Sequence, residues 1–165
     1  MAACFWITNM GIFRAYPMAY WLKITGTSKT PFLDGDWAAR RRGWVRDYGS
    51  VSMFPRWPRV VDGDVLIDYA AGSHRRFGEA RIYAVEEVVS DPVLSPHERW
   101  RVMVETSMLV AGPRLEHCPT IADIAVMRRS VSQHSHIRLS DEQGELAHSL
   151  ISAAAAAHGS LRAAV

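Results

Sequence analysis

The stretch VVDGDVLIDYAAGSHRRFGEARIYAVEEVV, residues 60–89, decides the fold that we predict for this chain. The DGD at residues 62–64 is a turn signal, and the short apolar run at residues 65–69 is typical of a strand. The AGS at residues 71–73 turns the chain again. Residues 78–84 then alternate between apolar side chains or glycine and larger charged or aromatic side chains, as a second strand does. The stretch therefore predicts two neighbouring strands joined by a tight connection.

The second strand is predicted to present small side chains on one face. The alternation sets one group against another: Gly78, Ala80, Ile82 and Ala84 against Glu79, Arg81 and Tyr83. An inward face of glycine and alanine suits a tightly curved barrel, where bulky side chains do not fit. An ordinary antiparallel pair in some other α+β protein is the alternative. We expect the α+β class, with a small mixed, curved β-barrel and flanking helices that include a C-terminal helix.

Two other segments read as strands. In residues 20–25, YWLKIT, the side chains of Tyr20, Leu22 and Ile24 should face one way and those of Trp21, Lys23 and Thr25 the other. Residues 99–110 predict a long strand with Trp100, Val102 and Val104 on one face. Residues 50–59 contain two prolines and are expected to be irregular.

The clearest helix begins at Ser140, whose spacing from Gln143 is that of a capping box, and stops at Gly159. Residues 34–42 predict a short helix, and residues 120–127 have helical spacing with Thr120 as a candidate N-cap. The expected apolar stripe of the C-terminal helix consists of Leu146, Leu150, Ile151 and Ala154.

The length and composition indicate one domain. The chain has 165 residues, 48% of them hydrophobic, which is enough to bury a core without disulfides. Cys4 and Cys118 are the only cysteines, and no apolar run approaches the ~20 residues of a membrane span, so a cytoplasmic protein is expected. We predict an extension at residues 1–17, a single domain at residues 18–159 and a frayed tail at residues 160–165.

The positive charge is mostly arginine and is clustered. The formal net charge is only +2, and Lys23 and Lys29 are the only lysines. The clusters are Arg40, Arg41, Arg42 and Arg46; Arg75 and Arg76; and Arg128, Arg129 and Arg138. Such clusters are typical of phosphate contacts, although a general preference for arginine over lysine would also scatter such pairs over a surface.

Motifs for catalysis are missing from the sequence. It contains no GxSxG, P-loop, GxGxxG or HExxH pattern, so the common hydrolase, phosphate-cradling and zinc-protease interpretations have no starting point. His134 and His136 lie two apart, and His117 with Cys118 could join them at a metal. Polar surface or pocket-rim histidines explain the same pattern, and we expect no metal and no cofactor.

Taken together, six segments resemble the EVE domain of the PUA-like superfamily, a relative of the YTH domains. They are MAYWLKIT (18–25), WVRDYG (44–49), DGDVLIDYA (62–70), GSHRRFGEARIYAVEEVVSDP (72–92), ERWRVMVE (98–105) and SHIRLSDEQ (135–143). The resemblance covers residues 18 to about 158. No single motif is diagnostic; the order and spacing of the set carry the likeness.

The resemblance implies a PUA-like barrel whose pocket accepts one flipped-out, modified nucleobase, and therefore a reader rather than an enzyme. Carried over by position, Lys23, Thr25 and Gly26 line one side of the pocket. Trp44 is the first aromatic wall, with Val45 beside it offering its backbone to the base edge, and Trp100 is the second wall. The expected phosphate contacts are Arg40, Arg41, Arg42, Arg75, Arg76 and Arg138.

Three functions remain open from the sequence. The first is a reader of a modified base, more in DNA than in RNA, with a role in restriction or defence. The second is a PUA-like module that binds structured RNA with the same arginines and no aromatic cage. The third is an enzyme with an acid, base or metal site among His117, Cys118, His134 and His136.

Overall fold

The structure, a computed structural model, describes residues 18–26, 50–96, 98–127, 131 and 134–159. Within them, seven strands form one sheet: β1 (Tyr20–Thr25), β2 (Ser50–Phe54), β3 (Val65–Ala70), β4 (Arg81–Val88), β5 (Val93–Leu94), β6 (Val102–Ala111) and β7 (His136–Arg138). A short helix (His74–Phe77) follows β3, two 3₁₀ turns (Leu115–His117 and Ala122–Ile124) follow β6, and the C-terminal helix spans Asp141–His158. Three expected segments lie outside the described residues: the extension at 1–17, the helix at 34–42 and the tail at 160–165.

The sheet is mixed and curls into a half-barrel. Its strand order is β2-β6-β4-β3-β1-β7, with β5 paired to β6, and the β1–β3 pair is parallel while the other pairs are antiparallel. Trp21 of β1 and Phe54 of β2 belong to one buried cluster, although three strands (β6, β4 and β3) lie between β1 and β2 in the sheet. This contact requires strong curvature. The expected α+β class, with a small curved mixed barrel and a C-terminal helix, is confirmed.

Strand β1 has the bounds and the two faces that the sequence predicts. Tyr20 and Leu22 are buried in the largest core cluster, against which Ile24 and the C-terminal helix residue Ile151 pack. Trp21, on the other face, lies in the cluster that also holds Phe54. We call this second side the inner face, because it is the side that the curled sheet encloses.

The predicted small-residue face of β4 is wrong in part. The strand begins at Arg81 rather than Gly78, which has φ = 76° and caps the short helix. Tyr83 is fully buried, although the alternation placed it opposite the buried Ala84. The pairing with β3 shifts between Asp68 and Tyr69, so that β4 carries one extra residue there. A bulge of this kind breaks the alternation of faces, and period-two reasoning cannot anticipate it.

Two expectations around β6 need correction. The long strand spans Val102–Ala111, so Trp100 precedes it, while Val102 and Val104 are buried as expected. Ser50–Phe54 is a regular strand paired with β6, not irregular structure. The prolines of that region follow the strand instead of interrupting it.

The ends of the C-terminal helix follow the sequence. Ser140 accepts a hydrogen bond from the Gln143 backbone N–H, and the Gln143 side chain accepts one from the Ser140 N–H, which completes the predicted capping box. The buried stripe differs from the prediction: it consists of Gly144, Ala147, Ile151 and Ala155, with Leu150 partly buried. Leu146 is exposed, because the helix approaches the sheet on its small residues.

Residues 120–127 form a single 3₁₀ turn rather than a helix. The Thr120 hydroxyl accepts a hydrogen bond from the Asp123 backbone N–H, as an N-cap does, at 3.2 Å. The Asp123 carboxylate accepts from the Thr120 backbone N–H in return, at 2.7 Å. Ala125 then adopts φ = 54°, a left-handed conformation that ends the turn. No helix in the described part of the chain is long and apolar enough to cross a membrane.

Gly144 allows the C-terminal helix to approach β1. A Cβ added at this position would overlap the ring of Tyr20, which is itself buried in the core. We expect Gly144→Ala to lower the free energy of unfolding by roughly 1–3 kcal/mol, because overpacking outweighs the gain of about 1 kcal/mol in helix propensity. Urea denaturation measures this, with Ala153→Gly on the same helix as a control for propensity alone. An alanine variant more stable than the wild type would contradict the packing argument.

Candidate functional site

The inner face of the half-barrel carries an unusual number of polar side chains. Five buried polar residues share this side with apolar residues such as Trp21, Phe54 and Val104, because each lies two positions along its strand from an inner-face residue or opposite one in the sheet. They are Lys23, Ser52, Asp68, Glu86 and Thr106. Buried polar groups are costly to desolvate unless they find hydrogen-bond partners. The inner face therefore combines apolar packing with buried polar groups that need such partners.

A cleft opens where the end of β1 faces β2. Its volume is about 220 Å³, and it is lined by Lys23, Ile24, Thr25, Gly26, Val51, Ser52, Met53 and Trp100. This volume is smaller than the ~300–1,000 Å³ of pockets that hold drug-sized ligands, and it suits a single ring system. The structure thus brings together Lys23, Thr25, Gly26 and Trp100, four residues that the sequence analysis placed in one pocket.

Lys23 occupies the inner end of the cleft among aromatic rings. Its side chain is only 6% exposed, and its Nζ donates a hydrogen bond to the Ile24 carbonyl at 3.3 Å. The same Nζ lies 4.8 Å from the centroid of the Phe54 ring and 5.9 Å from that of Trp100. An ammonium at these distances interacts favourably with the ring faces, which helps to hold a charge in a buried position.

His136 closes the barrel beside Lys23. It pairs with Lys23 across the β1–β7 ladder, and its ring meets Phe54 edge-on at 5.0 Å between centroids. The ring also lies 5.6 Å from that of Trp21. Burial in the first place, then the Lys23 ammonium and His134, lower the pKa of His136 to about 4. The imidazole is therefore neutral at neutral pH, and its role here is to pack between the two edges of the curled sheet.

The low pKa of His136 predicts a pH-dependent stability. In the unfolded chain the pKa returns to its ordinary value of 6.5, so between pH 6.5 and about pH 4 the unfolded state binds more protons than the folded state. Stability should be unaffected by this group above pH 6.5 and should fall as the pH drops through that window. Urea denaturation at about pH 7.5 and about pH 5 should show a smaller loss for His136→Gln than for the wild type. Equal losses would contradict the assignment.

Two buried hydroxyls on the inner face are not explained by the fold. Ser52 is 2% exposed and Thr106 is 1% exposed, and neither hydroxyl has a hydrogen-bond partner among the described residues. Ser52 lines the cleft directly, while Thr106 lies on β6 opposite Ser50. Neither residue was predicted from the sequence. The alternation of Ser50 and Ser52 with Val51 and Met53 was the available signal for a strand in this segment, and it would place the serines on the solvent side.

The remaining predicted base-binding and phosphate residues are divided between described and undescribed parts of the chain. Arg75 and Arg76 are exposed on the short helix. Because β1 and β3 are parallel, with Thr25 beside Ala70, the two strands end on the same side of the sheet. The short helix that follows β3 therefore begins on the side where the cleft lies. Arg138 is exposed on β7, with its guanidinium carbon 5.6 Å from the Trp21 ring centroid. The predicted residues outside the described part are Arg40, Arg41, Arg42, Trp44 and Val45.

The histidines and Cys118 do not converge. The His117 ring stacks on that of His158 at 4.0 Å, and its Nε2 lies 3.4 Å from a carboxylate oxygen of Glu116. Cys118 is buried in a separate apolar cluster, and His136 packs against Phe54. In the described ranges no three histidine, cysteine, aspartate or glutamate side chains could together hold a metal ion.

A second cleft of about 230 Å³ lies on the opposite side of the sheet. It is lined by His74, Gly78, Glu79, Ala80, Ile121, Ala122 and Val126. Ala80, Ile121 and Val126 belong to the main core, which places this cleft where the 3₁₀ turn packs on the sheet. None of the predicted site residues lines it, and we regard the cleft at the end of β1 as the functional candidate.

Comparison with known proteins supports the fold alone. No protein-family model matches the chain, and no curated protein matches it in sequence. A hypothetical protein from Leishmania major superposes with a TM-score of 0.51 at 18% identity, covering 85% of this chain and 98% of that one. An NMR structure of a Rhodopseudomonas palustris protein superposes with a TM-score of 0.53 at 15% identity, covering 82% of this chain and 94% of that one. A crystal structure of a Pseudomonas syringae protein superposes with a TM-score of 0.50 at 11% identity, covering 80% of this chain and 99% of that one.

Proposed function

We propose that this protein is a nucleic-acid-binding reader that holds one modified nucleobase in the cleft at the end of β1. The observation that carries the proposal is the convergence of Lys23, Thr25, Gly26 and Trp100 on one cleft of single-ring size. Ser52 adds a buried hydroxyl to the same cleft without a partner in the described structure. The resemblance of the sequence to EVE domains supports the same function.

The parts of the cleft match the energetics of base recognition. Stacking of a base on an aromatic side chain contributes about 1–3 kcal/mol, and Trp100 supplies such a surface. Hydroxyl and ammonium groups on the walls can bond the edge of the base. The exposed arginines Arg75, Arg76 and Arg138 would contact phosphates and supply the salt-dependent part of the affinity. Extruding a base costs a few kcal/mol, least in a single strand, so single-stranded sites should bind best.

The wider assignment follows from the sequence. We propose DNA before RNA as the nucleic acid, no cofactor, and no catalysis. The use of only two cysteines, Cys4 and Cys118, favours the cytoplasm. Because the same arginines would also serve binding to structured RNA, the experiment includes both nucleic acids.

Quenching of tryptophan fluorescence by nucleosides and short oligonucleotides tests the proposal. The ligands are modified nucleosides with their plain parents, followed by single-stranded DNA and RNA that carry the best of them, at about 50 and about 200 mM salt. We expect one modified nucleoside to bind more tightly than its parent with little salt dependence. The oligonucleotide should bind more tightly than the nucleoside and should lose affinity at the higher salt concentration.

The variant Trp57→Phe controls for non-specific quenching of an exposed tryptophan. Trp57 is 62% exposed and would respond to non-specific quenching, so Trp57→Phe should retain the signal of specific binding. If no modified nucleoside binds better than its parent while every oligonucleotide binds with equal salt sensitivity, the arginines bind backbone and the reader assignment is wrong. Preference for structured RNA over the modified single strand would support the RNA-binding alternative.

A further inference from the structure

Two short segments that combine arginine with tryptophan leave the sheet at the same end. They are PRWPR (55–59), which follows β2, and RWR (99–101), which precedes β6. The two strands are antiparallel, and Phe54 is paired with Val102 at the end of their ladder. Because a chain extends by at most about 3.6 Å per residue, the residues just after Phe54 and just before Val102 stay near each other.

The segment after β2 is anchored at both ends and presents its aromatic side chain to solvent. Phe54 and Val60 belong to the same buried cluster, and Pro58 between them is buried as well. Trp57 is nevertheless 62% exposed, and both arginines of the segment are exposed. Tryptophan is on average a highly buried residue. Because the prolines on either side of this part of the chain restrict its backbone, the indole is held outwards at little entropic cost.

The segment before β6 connects this end of the sheet to the cleft at the end of β1. Trp100 lines the cleft, and the Arg99 guanidinium carbon lies 5.4 Å from the centroid of its ring. Arg101 is exposed, and its carbonyl accepts a hydrogen bond from the Ser95 N–H at 2.8 Å. Its backbone is therefore fixed. Arg101 stands in the chain between the cleft wall and the paired ends of β2 and β6.

The surface beside the cleft wall is positively charged. The two segments together contain four arginines and no acidic residue, although Glu98 precedes the second one. Within the described ranges, none of Arg56, Arg59 and Arg101 forms a salt bridge. We call these three arginines with Trp57 the arginine–tryptophan surface. Cations that contact phosphates, next to an aromatic ring on which a base can stack, are the combination that binds single-stranded nucleic acid.

Resting on the proposed function, we propose that the arginine–tryptophan surface holds the nucleotides that flank the base in the cleft. A cleft of about 220 Å³ accepts one ring system, so the rest of a strand must leave it across its walls. On the Trp100 side the strand would meet Arg101 first. A flanking base would then stack on the indole of Trp57, and Arg56 and Arg59 would contact phosphates. Because stacking needs an unpaired base, the partner is a single strand.

Plain homopolymers test this surface without knowledge of the modified base. The probes are fluorescein-labelled oligo(dT) and oligo(U) of about 20 nucleotides and a DNA duplex of the same length, since stacking on an aromatic ring tolerates any base. Fluorescence anisotropy measures the affinity without using the tryptophans. We expect Trp57→Ala to bind the better of the two single strands roughly 10-fold more weakly than the wild type, and Trp57→Phe to retain part of the affinity. Duplex binding should change little. Equal losses for duplex and single strand would overturn the stacking role.

The arginines predict a separate change, in the salt dependence of binding. Loss of two phosphate contacts lowers the slope of log affinity against log salt by about 1.4 for a single strand. The double variant Arg56→Gln, Arg59→Gln should show this decrease, whereas Trp57→Ala should not. Arg114→Gln is the matched control, because Arg114 is exposed and follows the opposite end of β6. An unchanged slope in the double variant would overturn the phosphate contacts.

Nucleosides separate this proposal from the proposed function. Trp57 does not line the cleft, so Trp57→Ala should bind the preferred modified nucleoside as tightly as the wild type does. If that preference exists but Trp57→Ala binds both homopolymers like the wild type, the cleft reads a base and the arginine–tryptophan surface is wrong. If Trp57→Ala loses affinity for single strands while no modified nucleoside is preferred to its parent, the surface is supported and the reader assignment fails. Thermal unfolding checks that the variants fold.

Discussion

Asp64→Ala should lower the free energy of unfolding by about 3–5 kcal/mol, because it leaves three donors without their acceptor. The Asp64 carboxylate is 4% exposed and accepts hydrogen bonds from the Ala19 N–H at 3.1 Å, the Trp21 indole N–H at 2.9 Å and the Val61 N–H at 3.1 Å. These bonds join the start of β1 to the turn before β3. The carboxylate therefore has a structural role, in agreement with the turn chemistry that the sequence indicates.

The neighbouring aspartate supplies the control. Asp62 lies on the other side of Gly63 in the same turn and is only partly buried, so Asp62→Ala should cost about 1 kcal/mol or less. Asp64→Asn should fall between the two alanine variants, since one of the two oxygen acceptors becomes a donor. Urea denaturation at neutral pH measures all three. A small loss for Asp64→Ala, comparable to that for Asp62→Ala, would remove the structural role.

The parts of the fold that depend on local rules were predictable. The YWLKIT strand needs only its alternation, and the capping box of Ser140 and Gln143 needs only a spacing of three residues. The turn around Gly63, with φ = 83°, follows from the flexibility of glycine. In each case the determining interactions lie within a few residues along the chain.

The parts that depend on packing were not predictable. The bulge that buries both Tyr83 and Ala84 is set by the pairing of β4 with β3, not by the β4 sequence. The C-terminal helix buries Gly144 and Ala147 instead of Leu146 because Tyr20 occupies the space against the sheet. A hydrophobic scale favours the larger residue, whereas close approach favours the smaller one.

The cleft depends both on residues close together in the sequence and on the packing of distant strands. Lys23, Thr25 and Gly26 are consecutive or nearly so, and the resemblance to EVE domains was sufficient to group them with Trp100. Ser52 joins them only because β2 meets the end of β1 through the curvature of the whole sheet. A serine in a segment with two prolines carries no local sign of burial. Ser52 was therefore the least visible of the cleft residues in the sequence.

Trp100→Ala should reduce the affinity for the modified base by roughly 10- to 100-fold, the effect of losing one stacking contact of about 1–3 kcal/mol. Trp100 is partly exposed, lines the cleft and precedes the first residue of β6, so its loss should leave the sheet intact. Thermal unfolding should consequently change little while binding falls. Isothermal titration calorimetry measures the affinity without depending on the tryptophan that has been removed.

Trp57→Ala is the matched control, since Trp57 is 62% exposed and does not line the cleft. The same loss of an indole there should leave the affinity for the base unchanged. Trp100→Phe should retain part of the binding, because a smaller ring still offers a stacking face. Equal affinities for Trp100→Ala and the wild type would mean that the base does not lie on this wall. If Trp57→Ala weakened binding to the same extent, the indoles would act through the surface in general and not through the cleft.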